Sequence, residues 1–311
     1  MALDHVNVYV IDEGDSWTII DTGFWSKKTQ SIWSDIKEKW FSDKPIGKVI
    51  VTHHHPDHVG LAGWFQTEFK ADLWMSRTAW LMARMLRLDY QKLPTEETIN
   101  FWRRAGMDDL ILDERATGKP FNFGDSVHEM PLGFRRIIDG EKIILGNRSW
   151  IVRVGNGHAP EHLTLWCEDE PIVIAGDQII SSISPNLGVY ATEPDADPVQ
   201  EWLTSCEAFL PFSNDKQLVL PGHKLPFYGL PHRLKQLIEN HHSALKRLVA
   251  FLKEPQTAVD CFPVLFNRKI SDNEYGLALV EAVAHLNHLY RKKIVKRELN
   301  SKGAYVYTLK N

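Results

Sequence analysis

Four potential metal ligands stand close together where positions 53–58 read HHHPDH: His53, His55, Asp57 and His58. Imidazole and carboxylate groups are donors that suit zinc, iron or manganese. Because four such donors in one loop would repel one another or stay unsatisfied without a cation, the H-x-H-x-D-H pattern predicts a metal site.

Three further potential ligands lie much later in the chain, and each directly follows a glycine: His158, Asp177 and His223. An apolar run precedes each glycine, so each ligand is expected at the end of a strand. Glycine lets the backbone turn sharply there and aim the next side chain over the edge of a sheet. Seven ligands suffice for two metal ions if one carboxylate is shared, and the sequence therefore predicts a dinuclear site.

Short apolar runs predict the strands that position these ligands: 6–11, 17–20, 48–52, 149–154, 163–166, 172–175 and 217–220. Ser26 is the expected N-cap of one helix, and Thr95 marks a helix start inside a mainly helical segment at 77–115. The remainder of the chain predicts helices and a closing aromatic strand: 232–253, 256–266, 276–298 and 304–309. We therefore expect a boundary near 229–231, between a domain at 1–229 and a domain at 230–311.

The composition narrows the class of protein. The 311 residues are 43% hydrophobic and 24% charged, with a net charge of −4, which excludes disordered, collagen-like and disulfide-scaffold chains. Neither an apolar run of roughly 20 residues nor a charged-then-apolar leader is present, so we expect a cytoplasmic protein that does not bind membranes. Three widely spaced cysteines fit a reducing compartment.

The order of the motifs resembles that of the metallo-β-lactamase fold superfamily, particularly its dinuclear hydrolases of the glyoxalase II, lactonase and thioesterase kind. The resemblance spans residues 5–229 and includes Asp21-Thr22-Gly23, which precedes the histidine loop. It implies an α/β fold, a four-layer αβ/βα sandwich, with a helical insert at about 77–115.

The resemblance also implies a role for each ligand. It gives two groups of three, joined by the bridging carboxylate of Asp177: His53, His55 and His158 at the first metal, and Asp57, His58 and His223 at the second. Asp21 would not bind a metal but would orient the histidine loop by hydrogen bonding, which usually tightens metal binding.

Such a site would carry two divalent ions, with zinc expected and iron or manganese as alternatives. Two cations lower the pKa of bound water, so that hydroxide is available at neutral pH to attack a carbonyl. We expect hydrolysis of a small acyl thioester, ester or lactone, with Asp57 as the catalytic residue that orients the nucleophile and passes a proton to the leaving group. Tyr190 is expected to bind the substrate by contacting the tetrahedral intermediate.

Ligand types also separate this chain from some members of the superfamily that it resembles. Flavodiiron electron-transfer members normally carry glutamate at the position of His55, and antibiotic-hydrolysing β-lactamases commonly carry cysteine or histidine at that of Asp177. A redox role and penicillinase activity are therefore disfavoured. Two nearby histidines are not expected to be metal ligands. His54 is expected at the surface or in a position that supports the ligands. For His162, structural support and contact with the substrate are both open.

The apolar side chains of the insert have two interpretations. They would line an acyl pocket if the insert were a lid, but ordinary packing is favoured. The side chains concerned are Trp80, Met82, Met85, Leu86 and Trp102.

The tail resembles the winged-helix appendage of some superfamily hydrolases, including a β-lactamase-like endoribonuclease. Residues 230–311 carry 14 Lys/Arg and 7 Asp/Glu, whereas residues 1–229 carry 22 and 33. A basic patch of Lys292, Lys293, Lys296 and Arg297 would suit phosphates, so a single-strand-directed endoribonuclease is the alternative function. Because the acidic body would repel a polyanion, we favour a capping module able to form a homodimer, with a small acyl molecule as the partner.

Overall fold

The computed structural model describes residues 5–41 and 44–310. The strands in these ranges are β1 (Tyr9–Asp12), β2 (Trp17–Ile20), β3 (Ile46–Ile50), β4 (Asp72–Met75), β5 (Arg135–Arg136), β6 (Lys142–Leu145), β7 (Arg148–Gly155), β8 (His162–Cys167), β9 (Ile172–Gly176), β10 (Leu218–Pro221), β11 (Val295–Leu299) and β12 (Tyr305–Leu309). The α-helices are α1 (Lys27–Trp40), α2 (Pro56–Val59), α3 (Ala62–Phe69), α4 (Arg77–Leu88), α5 (Glu96–Arg104), α6 (Asp109–Thr117), α7 (Pro198–Phe209), α8 (Leu230–Phe251), α9 (Phe262–Phe266) and α10 (Tyr275–Arg291). Within these ranges, none of the helices has the length and apolar character that a bilayer span requires.

Ten of these strands form two five-stranded sheets, with the orders β1-β2-β3-β4-β5 and β10-β9-β8-β7-β6. In the first sheet β2, β3 and β4 are parallel, so the carboxyl ends of β2 and β3 lie at the same edge. In the second sheet β7 and β9 both run antiparallel to β8, and β10 runs parallel to β9. The carboxyl ends of β7, β9 and β10 therefore also share one edge, although they are far apart in sequence.

The two sheets pack face to face and helices cover their outer faces. Ile20 and Ile50 of the first sheet meet Leu165 and Ile174 of the second in the core between the sheets. Because side chains alternate along a strand, neighbouring residues such as Ile19 pack outward, against α1, α3 and α4. Helices α7 and α8 cover the outer face of the second sheet. The layers run helix, sheet, sheet, helix, which confirms the predicted four-layer αβ/βα sandwich.

The C-terminal module, residues 230–310, consists of α8, α9, α10 and a hairpin of β11 and β12. The predicted helix through residue 298 is wrong, because α10 ends at Arg291 and Lys293 takes a left-handed φ of 60° before the chain enters β11. The prediction at 256–266 is wrong in its first half, where Thr257 and Asp260 form a hydrogen-bonded turn. The predicted order of three helices and a closing strand is present, and β11, which the sequence predicts as helix, pairs with that strand to form the hairpin.

One continuous core crosses the predicted domain boundary. It contains Trp202 of α7 together with Leu237 of α8 and Leu286 of α10. Because both sides of residues 229–231 bury apolar side chains in the same cluster, the two parts are packed together, and the boundary itself stays a prediction.

The insert folds as three helices, and Thr95 caps α5 by accepting a hydrogen bond from the backbone N–H of Thr98. Helices α5 and α6 dock on the C-terminal module. Lys302 pairs with Asp109 at 2.8 Å, and the guanidinium of Arg104 lies 5.2 Å from the ring centroid of Tyr305. These contacts hold the insert against the C-terminal module.

Two tryptophans of the insert pack against other parts of the protein, whereas a lid would expose them to a substrate. Trp80 stacks on Phe134 with ring centroids 4.7 Å apart. Trp102 packs against the core shared with the C-terminal module. Of the two interpretations of the insert, the structure therefore favours packing for these side chains.

Candidate metal centre

The seven predicted ligands converge where the carboxyl ends of the strands meet. The loop at 53–58 follows β3, and the other ligands follow β7, β9 and β10. Their ligand atoms form three overlapping groups in which all atoms lie within 4.8 Å of one another: His53, His55 and His158; His53, His58 and Asp177; Asp57, His58 and His223.

The first group is spaced like the ligands of one ion. His53 Nε2 lies 3.0 Å from His55 Nδ1, and the ring centroids of these residues lie 5.0 and 4.6 Å from that of His158. Nitrogen ligands of a tetrahedral zinc ion lie about 3.3 Å apart, because Zn–N bonds measure roughly 2.0–2.1 Å. The arrangement therefore suits a single metal between the three imidazoles.

The second group is joined to the first by Asp177. His223 Nε2 lies 3.1 Å from Asp57 Oδ2, and His58 Nε2 lies 3.7 Å from the same oxygen. Asp177 Oδ2 lies 3.3 Å from His223 Nε2 and 3.6 Å from His158 Nε2. Its Oδ1 lies 3.4 Å from His58 Nε2. One carboxylate thus reaches ligands of both groups, while the assignment of each ligand to a particular metal stays a prediction.

Four buried polar atoms of these ligands have no hydrogen-bond partner among the described residues: Nε2 of His58, His158 and His223, and Oδ1 of Asp177. Buried polar atoms are nearly always paired, because leaving one unpaired costs roughly 1–3 kcal/mol. Imidazole nitrogen and carboxylate oxygen are donors for divalent transition metals. The residues present therefore fit a pair of divalent cations, which would satisfy these atoms.

Asp21 orients two of the imidazoles by hydrogen bonding on their Nδ1 side, His58 directly and His53 through the hydroxyl of Thr52. Its Oδ2 accepts hydrogen bonds from His58 Nδ1 at 2.7 Å and from the Thr52 hydroxyl at 2.8 Å. Since that hydroxyl gives its proton to Asp21, it accepts one from His53 Nδ1 at 3.0 Å. His53 and His58 are thus both held with Nδ1 protonated and Nε2 directed at the neighbouring ligands, and these are the contacts that the predicted orienting role of Asp21 requires.

Backbone carbonyls orient two other imidazoles. His158 Nδ1 donates to the carbonyl oxygen of Asn186 at 2.9 Å, and His223 Nδ1 donates to that of His5 at 2.6 Å. Each bond leaves Nε2 free to face the centre. The sequence does not predict either acceptor, because every residue type offers a backbone carbonyl.

Three imidazoles of the centre are held neutral. Burial, reinforced by the neighbouring histidines, lowers the pKa of His53 and His55 well below the usual range. Burial also lowers the pKa of His158. Neutral imidazole is the form that binds a metal, so this group is ready to bind at neutral pH.

The other two imidazoles are protonated on both ring nitrogens, and therefore positively charged, at neutral pH in the absence of a metal. Burial acts against the charge of His58, but Asp177, Asp57 and Asp21 outweigh it and raise its pKa well above the usual range. Burial likewise opposes the charge of His223, but the adjacent carboxylates of Asp177 and Asp57 outweigh it and raise its pKa to about 9. A metal that binds here must displace these protons.

The contacts of the two remaining histidines bear on their open roles. His162 stacks on His53 with centroids 4.5 Å apart, and its Nε2 accepts the backbone N–H of Asp177 at 3.1 Å. These contacts favour structural support of the ligands. The surface alternative for His54 is wrong, because its side chain is buried, with its ring stacked near Phe123.

The glycines that precede the ligands are required for two reasons. Gly157 and Gly176 have φ angles of 98° and 49°, which favour glycine. Gly222 permits a close approach, since a Cβ there would overlap Asp177 Oδ1. The predicted sharp turns are therefore present at Gly157 and Gly176, whereas Gly222 is required because the chain is tightly packed there.

Tyr190 lies in the irregular segment that follows β9. The side chain is 49% exposed, but its hydroxyl packs over Gly188. Burial of the hydroxyl and the charge of Glu281 raise its pKa, so the phenol remains a hydrogen-bond donor at neutral pH. Its contact with a substrate stays a prediction.

Comparison with protein families matches nearly the whole chain. The family model described as the metallo-beta-lactamase superfamily matches residues 1–223. A second model, described as a metallo-beta-lactamase-like C-terminal domain, matches residues 245–310.

Individual proteins are also similar over nearly their full lengths. A beta-lactamase domain protein of known structure from Burkholderia ambifaria is 31% identical, with a TM-score of 0.90, and the match covers 100% of this chain and 90% of that one. A metallo-beta-lactamase family protein of known structure from Thermus thermophilus is 24% identical with a TM-score of 0.79, covering 98% and 94%, and shares the fold. The "Probable metallo-hydrolase YqjP" of Bacillus subtilis is 23% identical over 323 residues, covering 99% and 95%.

Proposed function

The chain belongs to the metallo-β-lactamase superfamily, and we propose that it is a hydrolase whose dinuclear metal centre cleaves a small acyl thioester, ester or lactone. The observation that carries the proposal is the convergence of unpaired buried donor atoms from four separate loops. A degenerate, non-catalytic relative would not need to keep such a costly set of buried polar atoms.

Zinc is the metal that we propose for both positions. Its borderline character suits imidazole and carboxylate ligands, although iron and manganese bind the same donors. His53, His55 and His158 would hold the first ion, and Asp57, His58 and His223 the second, with Asp177 shared. When bound, the two ions supply Lewis acidity, which lowers the pKa of a water and polarises the acyl carbonyl.

Asp57 is the residue that we propose to move protons. Its side chain is 18% exposed, compared with 7% for Asp177, so it is the more open of the two carboxylates. Burial alone would raise its pKa, but His58 and His223 lower it below the usual value, so it is ionised at neutral pH. An ionised Asp57 can accept a proton from the attacking water and donate it to the leaving group.

A small, partly apolar substrate is supported by the surroundings of the ligand loops. Leu225, two residues after His223, is 80% exposed, and Phe24, which follows the Asp21-Thr22-Gly23 turn, is 46% exposed. Apolar side chains that stand in solvent beside ligand loops suit an acyl chain. The net negative charge of residues 1–229 would repel a polyanion.

The experiment is a substrate panel with metal analysis. The zinc-loaded protein is assayed with acyl thioesters, aryl esters and lactones of increasing chain length, beside a labelled single-stranded RNA at low salt. We expect turnover of at least one acyl class, lost on His55→Ala together with one equivalent of zinc. His242→Ala, which alters an exposed histidine of α8, is the matched control and should retain both metal and activity.

Two outcomes would contradict the proposal. Full activity of His55→Ala would show that the hydrolysis does not depend on the metal centre. Cleavage of RNA without turnover of any acyl substrate would favour the endoribonuclease instead. The basic patch offers that alternative less support than the sequence predicts, because Arg297 pairs with Asp195 at 3.0 Å and Lys296 with Glu298 at 3.1 Å.

A further inference from the structure

We infer that Glu281, in the C-terminal module, is a positioning residue for the metal centre, because it holds Asn186, whose backbone carbonyl orients His158. The inference rests on the proposed function in one respect, the assignment of His158 as a metal ligand. It gives the C-terminal module a part in metal binding, although all seven proposed ligands belong to the body.

Asn186 connects the two parts of the protein through its backbone and its side chain. Its carbonyl oxygen accepts the Nδ1 proton of His158 at 2.9 Å. Its side-chain Nδ2 donates to Glu281 Oε2 at 2.7 Å and to the carbonyl of Leu277 at 3.2 Å. Both of these acceptors belong to α10, so the helix fixes the residue that orients the imidazole.

The segment that carries Asn186 depends on the C-terminal module for its shape. Between β9 and α7 the chain has no helix or strand of its own among the described residues. Arg233 of α8 donates to the carbonyls of Ile180 and Ile183, at 2.7 and 2.8 Å. Val189 N–H donates to the carbonyl of Val280 in α10 at 3.1 Å. These ties hold the segment on either side of Asn186. Loss of the Glu281 contact would leave the longer hydrogen bond to Leu277 to hold the Asn186 side chain, so the peptide between the ties would rotate more readily.

Rotation of that peptide would affect the metal through the tautomer of His158. The Asn186 carbonyl keeps the proton on Nδ1 and leaves Nε2, which is buried and unpaired, to face Asp177 at 3.6 Å. If the carbonyl moves away, the proton can occupy either nitrogen and the ring can turn. Outer hydrogen bonds of this kind are worth about 10- to 100-fold in metal affinity, and we expect about 10-fold because Glu281 acts through Asn186.

The test compares two substitutions of Glu281. Glu281→Leu removes the acceptor, and we expect zinc affinity, measured by competition with a chromogenic chelator, to fall about 10-fold at one site only. The visible absorption of the cobalt-substituted protein should change in parallel. Glu281→Gln retains an oxygen that can accept from Asn186 and should restore both readouts to near the wild-type values.

A matched control separates this role from general loosening of α10. Asn287, six residues further along the same helix, donates to the carbonyls of Pro194 and Ala196 at 2.9 and 3.0 Å. Asn287→Ala removes two hydrogen bonds to the far end of the same segment, at least eight residues beyond Asn186, and we expect a lower Tm with unchanged zinc affinity. An equal loss of affinity in Asn287→Ala would overturn the inference.

The chain of contacts also predicts non-additivity. Asn186→Ala keeps the carbonyl but cuts the links to both Glu281 and Leu277, so adding Glu281→Leu to it should lose no more affinity than Asn186→Ala alone. Independent losses that add would contradict the linkage. His158→Ala identifies which idea fails. If it retains both zinc ions, the ligand assignment is wrong, whereas if it loses one while Glu281→Leu keeps normal affinity, only the positioning inference is wrong.

Discussion

His58 donates its Nδ1 proton to Oδ2 of Asp21 over 2.7 Å, and both side chains are almost completely buried. The same oxygen receives the Thr52 hydroxyl, which in turn accepts from His53. One carboxylate outside the ligand set therefore orients an imidazole from each of the two proposed ligand groups. The two proposed metal positions would therefore be coupled through Asp21 as well as through Asp177, the proposed bridging ligand.

Asp21→Asn should weaken binding of both metals. The amide leaves one oxygen for at least two donors and brings an N–H group that repels the Nδ1 proton of His58. We expect about a 10- to 100-fold loss of zinc affinity, measured by chelator competition. Asp12→Asn is the control, because that exposed carboxylate pairs with the surface groups Lys44 and Gly14 N–H. If Asp21→Asn binds zinc with unchanged affinity, Asp21 does not orient the metal ligands as predicted.

The two metals should differ in their dependence on pH. Without metal, the raised pKa values of His58 and His223 keep both protonated at neutral pH. Zinc at the second position must displace these protons, so its affinity should rise by up to about 100-fold per pH unit below pH 9. His53 and His55, whose pKa values are lowered, are already neutral. Equilibrium dialysis between pH 6 and 8 should therefore show the second zinc lost first as pH falls, and parallel loss would contradict the distinction.

A methyl group at position 222 should disturb the centre without removing a ligand. The Cβ of Gly222→Ala would overlap Asp177 Oδ1 and lie 2.7 Å from His58 Cε1, so one of these ligands must move. We expect loss of at least one zinc equivalent by elemental analysis, with a folded protein. Gly133→Ala is the matched control, since its Cβ meets no atom within 4 Å. A Gly222→Ala protein that holds two zinc ions tightly would contradict the packing described here.

The sequence predicts the ligands better than the residues that support them. His158, Asp177 and His223 are visible because each is a polar residue after an apolar run and a glycine, a local pattern. The supports Asn186 and His5 act through backbone carbonyls, which every residue type offers. Their role depends on the path of the folded chain and leaves no mark on the residue type.

The errors in the tail have a related cause. Residues 292–298 read KKIVKRE, whose side chains favour a helix as readily as a strand. Pairing decides the outcome, because Val295 faces Leu309 and Leu299 faces Tyr305 in the hairpin. The strands β4 and β6, which are not among the strands predicted from the sequence, are only four residues long, and their position in the sheets depends on hydrogen bonds with neighbouring strands. Non-local contacts of this kind override local preference.

Tyr190→Phe tests the proposed substrate contact most directly. The hydroxyl is held over Gly188, in the segment that also carries Asn186, and its raised pKa keeps it protonated. A phenol that donates to the developing oxyanion contributes mainly to the transition state, so we expect kcat/KM to fall about 10-fold or more, with zinc content unchanged. Tyr228→Phe, at a tyrosine that is 66% exposed, should leave kcat/KM unaltered. Wild-type kcat/KM in Tyr190→Phe would assign the hydroxyl to packing alone.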